Sequence, residues 1–169
     1  QDQMYGGDVV DGMDDEATNV TGWATGMTRA RIIGGNAQYP ASYQTSGNYD
    51  FAGLTNLNLN IVIDGTDNSL IDNVVQSIDL GASGADLEGG EFTIAEIVDA
   101  INGLKTENGG DLPGGWTAYA EDDNLAFRTD HLGRDARLLI KSDSTALEIF
   151  DFESVTKVGS SGNACTSGA

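Results

Sequence analysis

One cysteine, one histidine, two prolines and only 8 basic side chains occur in 169 residues, and each scarcity removes a class of explanation. A single thiol, Cys165 in the polar tail from Gly159 to Ala169, cannot close an internal disulfide, so the fold is not stapled. A lone imidazole, His131, excludes a paired-histidine site, and no serine shows the nucleophile-elbow spacing that would give it a catalytic partner. Gly34-Gly35 and Gly89-Gly90 lack the lysine and spacing of a phosphate loop and read as turns. No apolar run approaches the roughly 20 residues of a membrane-spanning helix. The shortage of Lys and Arg, set against 27 acidic residues, leaves a formal charge of -19. Such a surface repels phosphate, which argues against DNA, RNA and anionic membrane as direct partners.

What the chain does contain is acid, glycine and, later, clear periodicity. Its composition divides it into a glycine-rich acidic arm with a strand segment (1–56), an assembly module (57–153) and a polar tail (154–169). In the arm, Asp2, Asp8, Asp11, Asp14, Asp15 and Glu16 are interleaved with Gly6, Gly7 and Gly12 without strong periodicity. Arg29-Ala-Arg-Ile-Ile33 reads as a short strand ended by Gly34-Gly35. Large aromatic side chains in this polar stretch, Tyr5, Trp23, Tyr39, Tyr43 and Tyr49, are candidate anchors onto a neighbouring subunit, with packing into their own domain as the alternative.

From Leu57 the pattern sharpens. Leu57, Leu59, Ile61 and Ile63 share one face of a period-two strand that turns at Asp64-Gly65, and Val74 to Asp79 reads as a strand pairing back. Thr93 caps a helix with Glu96 at the capping-box spacing, and Ile94, Ile97, Val98 and Ile101 form its apolar stripe. Asn102-Gly103 ends it, with residue types that tolerate a left-handed terminus. Trp116 to Ala120 and Asn124 to Thr129 make a hairpin, Ala136 to Lys141 another strand, and Thr145 to Phe150 a short helix. By layer rules this order predicts an α+β fold: a mixed or antiparallel sheet, one main amphipathic helix packed on it, and an extended N-terminal arm.

The run Leu59-Asn-Ile-Val-Ile-Asp-Gly65, then Ser77-Ile-Asp-Leu80, Thr93 to Asn102, Ala118-Tyr-Ala, Asn124-Leu-Ala-Phe-Arg-Thr and Ala136-Arg-Leu-Leu-Ile resembles a small module of bacteriophage tail sheath and other virion structural proteins. It is similar to the repeat of flagellins and flagellar cap and hook-associated proteins named for an Ile-Asn pair, here Ile101-Asn102. The resemblance covers roughly Leu57 to Phe152. A flagellin would also need long heptad-like terminal helices, which neither end supplies, and that departure favours a virion protein.

The resemblance implies a virion structural protein: a capsid decoration protein or a tail sheath or tube component, assembling with copies of itself and with other virion proteins. The alternative is an extracellular or cell-surface adhesion domain, including a surface-exposed flagellin-like segment. Acidic clusters at Asp11 to Glu16 and Glu121 to Asp123 lack the alternating ligand pattern of a calcium loop. Asp64, Thr66 and Asn68 begin one, but Ser69 takes its glycine position and Val75 its terminal acid position. The expectation is therefore no enzyme, no metal and no cofactor, with the net negative charge keeping free subunits soluble and apart.

Overall fold

Leucine and isoleucine at alternate positions make residues 58–64 a strand with one buried face, and the same local logic generates most of the fold. The computed structural model describes residues 26–35, 44–45 and 48–161. Its strands are β1 (Arg31–Ile33), β2 (Gln44–Thr45), β3 (Asn48–Asp50), β4 (Asn58–Asp64), β5 (Gln76–Asp79) and β6 (Glu91–Thr93). After the helix α1 (Ile94–Asn102) come β7 (Trp116–Glu121), β8 (Asn124–Thr129), β9 (Arg137–Ile140) and β10 (Lys157–Val158). They form three antiparallel sheets in the orders β10-β9-β4-β5, β1-β8-β7 and β2-β3-β6.

This mostly β architecture corrects the expected α+β layering of one sheet under one main helix. The reason lies at the C-terminal end of α1. The Asn102 side chain donates from Nδ2 to the Ala118 carbonyl at 2.9 Å and accepts from the Ala118 amide at 3.0 Å, so the helix end occupies the edge of β7 where another strand would pair. The hairpin β7-β8 instead recruits β1 on its far side and stands as its own sheet. The segment expected to be an arm contributes β1 and β3, paired with β8 and β6. β6 itself, Glu91-Phe-Thr93, immediately precedes the cap of α1.

The capping box forms: the Glu96 amide donates to Thr93 Oγ1 at 3.2 Å, and the Thr93 amide donates to Glu96 Oε1 at 2.9 Å. Ile94, Ile97 and Ile101 are buried. The helix does not end left-handed, since Gly103 has φ -66°. The expected helix at 145–150 is a run of turns, because its polar groups are drawn to β4. The Ala146 amide donates to the Asn58 carbonyl at 2.9 Å, while Ser144 Oγ and Thr145 Oγ1 each accept at 2.8 Å from the amides of Asn60 and Asn58. Further along, the Leu147 amide donates to the Ser144 carbonyl at 3.3 Å and the Asp151 amide to the Glu148 carbonyl at 3.2 Å, which are turn bonds.

Between the sheets lies one apolar cluster. Leu57, Leu59, Ile61 and Ile63 enter it from β4, Leu138 and Ile140 from β9, and Ile97 and Ile101 from α1. An aromatic chain crosses it, from Tyr49 to Phe150 (ring centroids 5.2 Å apart), Phe152 (6.0 Å), Phe127 (5.9 Å) and Trp116 (5.6 Å). Burying each such ring stabilises the fold by about 1.5–3 kcal/mol. At the end of β4, Gly65 has φ +89°, and a Cβ there would sit 1.9 Å from the Asp135 carbonyl oxygen, so only glycine fits this turn.

Candidate functional site

Period-two alternation in three strands decides what the outer face of the β1-β8-β7 sheet displays. Ala30 and Ile32 point into the core, which turns Arg29, Arg31 and Ile33 outward. Leu125, Phe127 and Thr129 point inward from β8, leaving Arg128 outside, and Trp116 and Ala118 do so from β7, leaving Thr117 and Tyr119 outside. Pairing then aligns Arg31, Arg128 and Thr117 in one row, and Ile33, Ala126 and Tyr119 in the next.

Three of the chain's 8 basic residues, Arg29, Arg31 and Arg128, thus gather on one sheet face. Arg31 and Arg128 are direct cross-strand neighbours. Amide bonds from Gly34 to the Leu125 carbonyl and from Thr129 to the Ala30 carbonyl mark the hydrogen-bonded positions, so the arginines occupy the narrow, non-bonded pair between them. Like charges at that spacing are destabilising. The Arg128 guanidinium lies 5.4 Å from the Tyr119 ring centre, and Arg31 acts on the same phenol. Burial pushes the Tyr119 hydroxyl above its ordinary pKa, while the Arg31 charge pulls it down. Arg29 Nη1 donates to the carbonyls of Thr129, at 3.1 Å, and of Asp130. The Asp130 carboxylate accepts from Thr117 Oγ1 at 2.5 Å.

Ion pairs among the described residues join Lys105 to Glu107 (3.2 Å) and Lys141 to Asp143 (3.8 Å), and neither involves these arginines. Among the described residues, the Nε atoms of Arg29 and Arg128 are buried without a hydrogen-bond partner. β1 is an edge strand, and the parity that turns the Arg31 side chain outward from the core also aims the Arg31 and Ile33 backbone groups away from β8. Among the described residues, these three arginines make no ion pair and no strand pairs beyond β1.

The opposite edge of the same sheet is finished. Besides Asn102 on Ala118, Lys105 Nζ donates to the Trp116 carbonyl at 2.8 Å and lies 5.1 Å from that indole ring. Gln76 of β5 is 2% exposed. Its Nε2 donates to the Gly114 carbonyl (2.8 Å), and its Oε1 accepts from the Gly114 amide (2.8 Å) and from Trp116 Nε1 (3.0 Å).

Among the sequence candidates, Tyr5, Trp23, Tyr39 and Tyr43 lie outside the described residues. Tyr49 is 0% exposed, packed on Phe150, with its hydroxyl donating to the Asp123 carbonyl at 3.1 Å, so its ring is spent inside its own core. Burial raises its pKa to about 12. The loop that begins like a calcium site folds on its own donors: Thr66 Oγ1 and amide both donate to Asp72, the Leu70 amide to Asn68 Oδ1, and Asn73 Nδ2 to Asp64 Oδ1. The Thr66 bonds hold the Asp72 carboxyl below its usual range. No group of three His, Cys, Asp or Glu side chains able to hold a metal occurs among the described residues. His131 Nε2 lies 3.1 Å from the Asp64 carbonyl oxygen. Among the described residues, no helix is long and apolar enough to cross a membrane. Sequence reasoning missed Arg31, Arg128 and Tyr119 as a group, since only strand register brings them together. No family model, curated protein or solved structure matches the chain.

Proposed function

We propose that this chain is a non-enzymatic building block of a virion, a capsid decoration protein or a tail sheath or tube component, acting through contacts with copies of itself and with other virion proteins. The observation that carries the reading is the arginine face beside the edge of β1, on which no strand pairs among the described residues, in a molecule whose net charge is -19. A protein that works by contact needs a rigid body and a surface whose interactions are left open for a partner. The three-sheet core supplies the first, and the β1 edge with Arg31 and Arg128 supplies the second. The sequence resemblance to virion modules, centred on Ile101-Asn102, supports the same reading. Here Ile101 is buried and Asn102 ties the helix end to β7, so that pair serves the rigidity of the unit.

The test is assembly itself. Sedimentation velocity over a dilution series, with electron microscopy of the concentrated full chain, is expected to show concentration-dependent, regular oligomers, and the native protein is expected to copurify with particles at fixed stoichiometry. A chain that stays monomeric at every concentration and binds a ligand as a lone molecule contradicts the proposal.

A further inference from the structure

We infer that the strand β10 is exchanged between copies of this chain: residues 154–160 of one molecule leave their own β9 and pair, in the same register, with β9 of a second. The inference rests on the assembly reading above and gives it a contact.

β10 is weakly held. It consists of Lys157 and Val158, both exposed, at the outer end of the sheet β10-β9-β4-β5. Val155 is 50% exposed and Val158 52%, so the segment hides little apolar surface. Backbone bonds hold it instead: the register Lys157–Leu138 and Val158–Arg137, the Gly159 amide on the Ala136 carbonyl at 3.0 Å, and the Thr28 amide on the Ser160 carbonyl at 3.0 Å. The buried anchors end earlier, at Phe150 and Phe152. Releasing the strand therefore exposes almost no core, which places it among the parts of the fold that open first.

A hinge precedes it. The backbone of residues 153–156 makes one hydrogen bond among the described residues, from the Val155 amide to the Glu153 carbonyl at 3.0 Å, closing a three-residue turn. Asp151, just before this turn, has φ +54°, a left-handed conformation that a side chain disfavours. A tight turn beside a strained residue favours opening and exchange. Straightened, 153–156 spans about 13 Å, enough to carry β10 off its own sheet.

The place that β10 fills is shaped for this chain's own sequence. A Cβ at position 159 would lie 2.4 Å from the carbonyl oxygens of both Gly133 and Thr28, so the incoming strand must carry glycine there. A second copy brings Gly159 together with Lys157 and Val158 in register, and it remakes every bond of the home strand. Charge permits the crossing: Ser154 to Ser161 contains Lys157 and no Asp or Glu, in a chain of net charge -19.

Disulfide trapping tests the exchange. Because Gly159 and Ala136 are hydrogen-bonded, Arg137 and Val158 form the close non-bonded pair, with Cα atoms about 4.5 Å apart and within reach of a disulfide. Both are exposed. With Cys165→Ser throughout, Arg137→Cys and Val158→Cys are made in separate full-length chains, and together in one chain as a control. The two single variants, mixed, concentrated and oxidised, are expected to give a covalent heterodimer on a non-reducing gel, about tenfold above the homodimer that either gives alone. No heterodimer, while the double variant closes its disulfide within a monomer, overturns the inference. Deleting Ser154 and Val155 removes the return turn and decides the case in which the cysteines fail to pair even within one chain. That variant is expected to move from monomer to dimer or larger species in native mass spectrometry, and one that stays monomeric overturns the inference. The assembly reading fails separately: a parent chain that associates without heterodimer keeps assembly and loses exchange, whereas a parent that never associates beside a deletion variant that dimerises loses assembly and keeps β10 as an exchangeable strand.

Discussion

The two edges of the β1-β8-β7 sheet are built oppositely. At β7, three side chains from outside the sheet take up backbone groups: Gln76 at Gly114, Lys105 at Trp116 and Asn102 at Ala118. At β1, the strand carries two exposed residues, Arg31 and Ile33, and no strand pairs beyond it among the described residues. An exposed edge invites uncontrolled pairing, and proteins normally blunt it with charge or cover. The β7 edge is blunted permanently, by hydrogen bonds from within. Among the described residues no strand covers the β1 edge, which carries the positive charge of Arg31 in a chain of net charge -19. The lesson is that one sheet can have an edge finished by side chains from within and, among the described residues, another that no strand covers.

Breaking the closed edge should produce the largest effects. Gln76→Leu leaves the Gly114 amide and carbonyl and the Trp116 Nε1 hydrogen buried without partners, and is expected to destabilise the fold by about 3–5 kcal/mol in urea denaturation. Asn102→Ala frees both backbone groups of Ala118 in a less buried place, for a loss of about 2 kcal/mol, together with a new tendency to pair through β7 that light scattering would detect.

A third expectation concerns the aromatic core that holds the sheets in place. The Tyr49 phenol has its pKa raised to about 12 from an ordinary 10.0, chiefly by burial. The folded state therefore keeps its proton where the unfolded chain has released it. The stabilisation is complete below pH 10 and is lost as pH rises toward 12, by on the order of 1–2 kcal/mol, and Tyr49→Phe should remove that alkaline slope. The smallest stability change belongs to the open edge. Arg31→Thr removes one member of a like-charged pair and should alter stability by about 0.5 kcal/mol or less, with a gain more expected than a loss, while weakening self-association. A large loss from that substitution would show the arginine to be structural.

Much of this was legible in the chain because it is local. Leu57, Leu59, Ile61 and Ile63 announce a half-buried strand, Thr93 and Glu96 announce a capped helix, and the two runs around Glu121 to Asn124 announce a hairpin; all are observed. The division into three sheets was not legible. It depends on Arg31–Ile33 meeting Arg128 to Ala126 nearly a hundred positions away, and no periodicity encodes that register. The stretch 145–150 has the apolar spacing of a helix, yet it is a run of turns tied to β4 through Thr145 Oγ1 and the Ala146 amide. Gln76 sits on the buried face of its strand, as alternation places it, but its hydrogen bonds to Gly114 and Trp116 become visible only in three dimensions. Tyr49 was readable as a large anchor, and the core rather than a neighbour is what it anchors.

Backbone amide hydrogen exchange at three residues tests the contrast between the edges most directly. In dilute protein, the Ala118 amide, bonded to Asn102 Oδ1, should exchange slowly, and those of Arg31 and Ile33 rapidly. On concentration into the assembled state, Arg31 and Ile33 should become protected while Ala118 stays as it was. Protection of all three in the dilute monomer, or exchange at Arg31 and Ile33 that assembly leaves unchanged, would contradict an open edge that closes on a partner.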